Sequence, residues 1–251
     1  MTNTARLVLI HGFTGHRESW SELLECFPEG SHAAIRVSLV GHLGENEVLQ
    51  MMPRTFTEEI VRLGDLIESA GGKGSHLVGY SLGARLALGL LVKNPGLFAR
   101  ATLIAAHPGL DTCEEKKERA RADEHWIHLL ERKGIAPFVR AWERQPLFAT
   151  QAALSLDRLA RQRAQRLRHR PLGLAHALRT LGLAGMPSYW STLPELHIPV
   201  HLVVGGRDDK FVQIAERMQP LLLEGWLTVV EGAGHNVVLE RPQELARLLI
   251  N

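Results

Sequence analysis

Gly79-Tyr80-Ser81-Leu82-Gly83 sets a serine between two glycines, each two residues away. That spacing suits a nucleophile. A serine on a sharp strand-to-helix turn holds its hydroxyl clear of the backbone, and the crowding of such a turn leaves no room for flanking side chains. A reactive serine needs a base, and the base needs an acid to orient it. His235, in Gly232-Ala233-Gly234-His235-Asn236, is the candidate base. Asp208, in Gly205-Gly206-Arg207-Asp208-Asp209, is the candidate acid, preferred over the adjacent Asp209. His11-Gly12-Phe13 reads as a tight turn, with the backbone N–H groups of Phe13 and Leu82 as candidate donors to a developing oxyanion. Such donors are worth ~3–4 kcal/mol each.

These residues need a scaffold. Six short runs rich in Val, Ile, Leu or Ala read as strands: Leu7–Ile10, Ala34–Leu39, His76–Tyr80, Ala101–Ala106, Val200–Val204 and Leu227–Val230. Most lack polar alternation, which points to strands buried on both faces, as in a parallel sheet. Helical patterns lie between them at Ser19–Phe27, Leu82–Val92, Val212–Leu222 and Pro242–Ile250. A further helix is predicted after Thr55-x-x-Glu58, a capping-box pattern followed by Ile60, Leu63 and Ile67. Strand–helix alternation of this kind implies right-handed βαβ units. Ser81, Asp208 and His235 each follow the carboxyl end of a predicted strand, where open α/β sheets place their sites.

The alternation fails between about Asp111 and Gly185, which is helix-forming throughout and too long for a structureless loop. The predicted organisation is therefore a core of residues 1–110 and 186–251 with a helical cap at 111–185. Charge divides along the same boundary. Residues 111–180 hold 15 Lys/Arg against 9 Asp/Glu, and the remainder 14 against 18, so a net charge of +2 conceals a basic cap on a mildly acidic body.

Composition removes other classes. Of 251 residues, 45% are hydrophobic and 22% charged, which is ordinary for a globular chain. Cys26 and Cys113 are too few for a disulfide framework or a four-cysteine zinc site. Ser81, Arg85 and three glycines interrupt the apolar stretch 77–92, so it is not read as a membrane span. The short apolar run in the opening MTNTARLVLIHG does not suffice for a signal peptide, and the expectation is a cytoplasmic protein. No phosphate loop, metal-ligand spacing or dinucleotide fingerprint is present, so no cofactor is expected. Arg158–Arg170 contains six arginines but no interleaved aromatics, and no nucleic-acid partner is expected.

Together these motifs, in the order Ser81, Asp208, His235, resemble the α/β-hydrolase superfamily, whose cap falls where this chain carries its helical insertion. Gly41-His42 is similar to that family's G-H-G turn, with Ser38 where an Asp is usual and Leu43 interrupting the glycines. Within the superfamily, several segments resemble the 2-succinyl-6-hydroxy-2,4-cyclohexadiene-1-carboxylate synthases of menaquinone biosynthesis. They are His107-Pro108-Gly109-Leu110, Glu118–Asp123 with Trp126, Trp142 leading into Gln145–Ala149, Gly79–Arg85, and Arg207–Phe211. Glu143 departs from that pattern, which has a tyrosine there.

The resemblance implies a lyase that eliminates pyruvate from 2-succinyl-5-enolpyruvyl-6-hydroxy-3-cyclohexene-1-carboxylate. It implies Arg85, Arg121, Arg168, Trp142 and Tyr80 as substrate-binding residues. Arginines suit a substrate with three carboxylates, because guanidinium binds carboxylate bidentately. Arg85 also lies one helical turn beyond Ser81 on the same face. The alternative is a serine hydrolase acting on an ester or carbon–carbon bond of an anionic substrate, since the triad alone does not separate the two.

Overall fold

A computed structural model describes residues 5–42 and 54–250. Six strands form one sheet: β1 (Ala5–Ile10), β2 (His32–Val37), β3 (Ser75–Tyr80), β4 (Phe98–Ile104), β5 (Val200–Gly205) and β6 (Gly225–Val230). Their order is β2-β1-β3-β4-β5-β6, and every pair is parallel. The chain reverses its direction of travel across the sheet between β1 and β3, which opens a crevice at their carboxyl ends.

The apolar runs lack alternation because both faces are covered. Val8, Ile10, Leu77, Leu103, Leu202 and Val204 join one core cluster. Their neighbours Leu7, Leu9, Val78, Ile104 and Val203 join the other. Period-two geometry sends successive side chains to opposite faces, so two hydrophobic layers demand apolar residues at nearly every strand position.

Helices α1 (Ser21–Leu24), α2 (Phe56–Ser69), α3 (Leu82–Lys93), α8 (Asp209–Met218), α9 (Val237–Glu240) and α10 (Pro242–Ile250) accompany the sheet. Helix α3 buries Leu82, Gly83, Ala84, Leu86, Ala87, Leu88, Gly89, Leu90 and Leu91. A helix without a polar face belongs in the interior. Between Asp111 and Gly185 lie α4 (Cys113–Lys133), α5 (Ile135–Trp142), α6 (Leu156–Leu167) and α7 (Pro171–Leu181), with a 3-10 segment at Pro146–Ala153. Helices α4, α5 and α7 share a separate small core of Ile127, Leu130, Phe138, Val139, Leu174, Ala175 and Leu178, against which Phe13 of the body packs.

Strands β2 and β4 begin and end before the expected Ala34–Leu39 and Ala101–Ala106, and the helical readings are revised in three places. The predicted helix at Ser19–Phe27 is a 3-10 turn, Arg17–Trp20, followed by the single turn of α1, and His16 caps that turn by accepting from the Glu18 N–H. The helix predicted at Val212–Leu222 starts at Asp209 and gives way to a 3-10 turn over Gln219–Leu221, where Pro220 supplies no N–H. Thr55 caps α2 through the Glu58 N–H, yet Glu58 closes no box, because its carboxylate accepts from the Arg54 N–H at 2.9 Å. Leu43 lies outside the described residues. Among the described residues no helix is long and apolar enough to cross a membrane.

Candidate active site

Ser81 sits at the junction of β3 and α3 with φ 53° and ψ −109°. A non-glycine residue held there stores strain of ~1–3 kcal/mol, sustained only where the surroundings over-determine it. They do so here. The Ser81 N–H donates to the Ile104 carbonyl at 2.8 Å, and its carbonyl accepts from the Arg85 N–H at 3.1 Å. A Cβ on Gly79 would stand 2.5 Å from the Gly83 carbonyl oxygen, and one on Gly83 would collide with the carbonyl of Ile10. The two glycines of the elbow are thus packing requirements.

The hydroxyl so presented lies 2.9 Å from His235 Nε2. On the other side of the ring, Nδ1 is 2.6 Å from Asp208 Oδ2. Both partners are buried, His235 at 2% exposure and Asp208 at 7%, whereas Asp209 is exposed. Of the two aspartates, Asp208 is the one that the β5–α8 turn faces inward, against His235. A residue not singled out from sequence, Glu240, holds the His235 loop: its buried carboxylate accepts from Gly234 N–H at 2.7 Å and Asn236 N–H at 3.3 Å. Its signal is a carboxylate closing the otherwise apolar Val237-Val238-Leu239.

A cavity of about 870 Å³ opens over this triad, between the carboxyl ends of the strands and the cap. Phe13 and Leu82 line it beside Ser81. Leu82 is the first residue of α3, so its N–H has no carbonyl one turn back within the helix and lies at the positive end of the helix dipole. Tyr80 lines the cavity with its ring 5.6 Å from that of His235, and burial pushes its phenol pKa up. Trp142 also lines it, and its buried indole N–H has no hydrogen-bond partner among the described residues.

The arginines divide. Arg85 lines the cavity, its Nη1 donating to the Leu181 carbonyl at 3.0 Å, and burial pushes its pKa down to about 9. No carboxylate among the described residues forms an ion pair with it. Arg121 and Arg168, by contrast, do not line the cavity. Arg121 is on the exposed face of α4. Arg168 is exposed and pairs with Glu18 at 3.5 Å.

Two near neighbours line it instead. Arg119, held by Asp123 at 2.9 Å, lines the cavity from α4. Arg166, buried to 5% exposure, lines it from α6, bonded to Glu143 at 3.2 Å and lying over the Phe148 ring at 5.4 Å. On a helix, two residues differ by about 200° in direction, so an error of two in register turns an inward side chain outward. The Arg119…Asp123 pair, four residues apart, was the available signal for a buried face. Glu143, where a tyrosine was expected, is drawn aside by Arg163 and Arg166 and does not line the cavity.

His107 adds a donor nobody's spacing would reveal. The Gly109 N–H donates to its Nδ1 at 3.1 Å, which leaves the ring proton on Nε2, while burial and the nearby Arg85, Lys210 and Arg119 push its pKa down to about 4.

The sheet order, the strained serine and the Ser81–His235–Asp208 geometry are those of one large family, and the sequence match agrees. The model of the Alpha/beta hydrolase family matches residues 7–248. The chain belongs to this α/β-hydrolase family. A Bacillus subtilis (strain 168) relative is 32% identical over 243 residues, covering 97% of this chain and 88% of its own. The α/β hydrolase named 2-succinyl-6-hydroxy-2,4-cyclohexadiene-1-carboxylate synthase from Enterobacter sp. (strain 638) is 30% identical, covering 97% of this chain and 89% of its own. Among solved structures, MenH from S. aureus superposes with a TM-score of 0.93 at 29% identity, covering 100% of this chain and 93% of that one.

Proposed function

We propose that this α/β-hydrolase is a lyase that eliminates pyruvate from 2-succinyl-5-enolpyruvyl-6-hydroxy-3-cyclohexene-1-carboxylate, giving 2-succinyl-6-hydroxy-2,4-cyclohexadiene-1-carboxylate. The observation that carries the reading is Arg85. A guanidinium lining the cavity, hydrogen-bonded to a main-chain carbonyl and ion-paired with no carboxylate among the described residues, calls for an anionic ligand; Asp123 acts on it only at longer range, and Arg119 and Arg166 line the same cavity. With Arg158, Arg161 and Lys210 also in the lining, cations outnumber the lining carboxylates Glu18, Glu22 and Glu25, an excess that suits a tricarboxylate. The likeness to the Enterobacter synthase and to S. aureus MenH supports the same assignment. A substrate of that charge fits a cytoplasmic enzyme.

In this reading Asp208 holds His235 in the tautomer that accepts on Nε2, and His235 draws the proton from Ser81. Ser81 Oγ in turn takes the proton from the ring carbon bearing the succinyl ketone. The electron pair left behind becomes an enolate, whose oxygen receives the N–H groups of Phe13 and Leu82. As the enolate collapses, a double bond forms between ring carbons 2 and 3, the existing double bond shifts from carbons 3 and 4 to carbons 4 and 5, and the bond from carbon 5 to the enolpyruvyl oxygen breaks. The departing enolate of pyruvate takes back a proton and tautomerises to the ketone. No acyl-enzyme forms. Tyr80 and Trp142 serve as substrate contacts on the cavity wall.

The test is pyruvate release from the enolpyruvyl-cyclohexene substrate, with the Ser81→Ala protein as blank and p-nitrophenyl acetate alongside. Ser81-dependent pyruvate release with poor ester cleavage is expected. Ester cleavage without pyruvate overturns the lyase in favour of a hydrolase of anionic esters, which the Ser81–His235 contact would serve equally well.

A further inference from the structure

Thr14, next to Phe13, has φ 61°, a left-handed conformation that a threonine adopts only under external constraint. Two histidines supply the constraint. The Thr14 N–H donates to His42 Nε2 at 3.2 Å, and His169 Nε2 donates to the Thr14 carbonyl at 3.1 Å. The first comes from the loop after β2, the second from the cap, directly after α6. His42 Nδ1 donates to the Val40 carbonyl at 3.0 Å, which leaves Nε2 with the lone pair needed to accept. His169 Nδ1 is buried with no partner among the described residues, as befits a nitrogen carrying no proton.

We propose that His42 and His169 are positioning residues that clamp Thr14 from both sides of its backbone and thereby aim the Phe13 N–H at the developing enolate oxygen. The inference rests on the reading of Phe13 as an oxyanion donor. Its consequence is that the oxyanion hole is assembled from body and cap together.

The clamp is itself anchored. Where the family has an aspartate, Ser38 leaves the β2 loop to Glu59 and Arg62: Val40 N–H donates to Glu59 Oε1 at 2.9 Å, and Arg62 Nη2 donates to the Ser38 carbonyl at 2.9 Å. Gly41, with φ 73°, lies so close to Gly173 of α7 that a Cβ would collide with the Gly173 carbonyl. The absence of that Cβ lets the cap approach and brings the two rings to 5.5 Å, edge to face. Phe13 lies edge-on to His42 at 5.4 Å, so the ring that bonds Thr14 also packs on the residue whose N–H it aims.

Two pairs of amide substitutions separate position from bulk. In His169→Gln the amide reaches the site of Nε2, whereas in His169→Asn it stops at Nδ1. His42→Gln keeps an acceptor for Thr14, whereas His42→Asn keeps only the Val40 contact. In folded protein the Asn variants should lose ~10- to 100-fold in kcat with KM within about threefold, and the Gln variants should regain most of it. The double Asn variant should fall little further than either single one, because both act through Thr14. Amide exchange at Thr14 gives a readout that needs no substrate, and should quicken at least ~10-fold in His42→Asn. Unchanged kcat in both Asn variants, equal loss in Asn and Gln variants, or unchanged exchange at Thr14 overturns the clamp. A wild-type enzyme that releases no pyruvate would overturn the substrate assignment instead, and the same variants would then be read on ester cleavage and on exchange.

Discussion

Asp208 Oδ2 lies 2.6 Å from His235 Nδ1, while Asp209, one residue on, faces solvent. Asp208→Asn should therefore lower kcat by on the order of 10⁴-fold, because the amide favours the wrong histidine tautomer. Asp209→Asn should remain within about twofold of wild type, as a surface substitution. Steady-state kinetics on the two proteins decide it, and a reversed ranking would move the acid to position 209.

Ser81→Ala should leave the melting temperature at or slightly above the wild-type value, since it removes no buried contact apart from the His235 bond. Turnover should fall by at least ~10³-fold, the scale on which a triad member is lost. Retained turnover would show that the proton is taken by another group.

The arginine assignments separate by position. Arg119→Ala and Arg166→Ala should each cost about 10- to 100-fold in kcat/KM for the tricarboxylate, the range of a charge-assisted hydrogen bond, and leave a neutral ester largely untouched. Arg121→Ala and Arg168→Ala remove exposed side chains and should stay within about twofold. Equal losses at Arg119 and Arg121 would refute the geometry of α4.

Acid should destabilise the fold well before its carboxylates are titrated. Burial depresses the pKa of His11 and His76 to about 3 and of His107, His169 and His201 to about 4, against an ordinary 6.5. Between those values the unfolded chain binds protons that the native chain refuses, so stability rises with pH through this window and is lost as pH falls from 6.5 toward 4. Each such histidine contributes about 1.4 kcal/mol per pH unit. Urea unfolding at neutral pH and at mildly acidic pH would measure it; a flat profile would mean the rings are hydrated in the native state.

Gly83→Ala should fail by packing alone. Its Cβ would enter the Ile10 carbonyl, a backbone atom of β1 that cannot swing aside. Overpacking of that kind costs ~1–3 kcal/mol or more, visible as a lowered Tm. An alanine variant with native stability would mean that β1 and α3 can separate without loss.

Local information carries far in this chain. The elbow spans five residues, so steric logic names Ser81 without knowledge of the fold. Strands buried on both faces write uninterrupted apolar runs, which is why β1, β3, β4 and β5 were legible, whereas the half-exposed outer strands β2 and β6 were marked by apolar content alone. Strand ends were less legible: β4 stops at Ile104 because Ala105 turns to φ 50°, a conformation its residue type does not announce.

What the cavity sees was decided elsewhere. Arg119 and Arg121 are alike in type and two positions apart, and only the packing of α4 on α7 says which enters the site. Arg166 and Arg168 differ in the same way. His169 meets Thr14 across 155 residues and His42 meets it across 28, pairings that no local pattern encodes. Local sterics and hydrophobic periodicity therefore name the reacting groups and the sheet that presents them. The direction of each side chain that surrounds them depends on which helix face finds a partner, and that is set only when distant segments pack together.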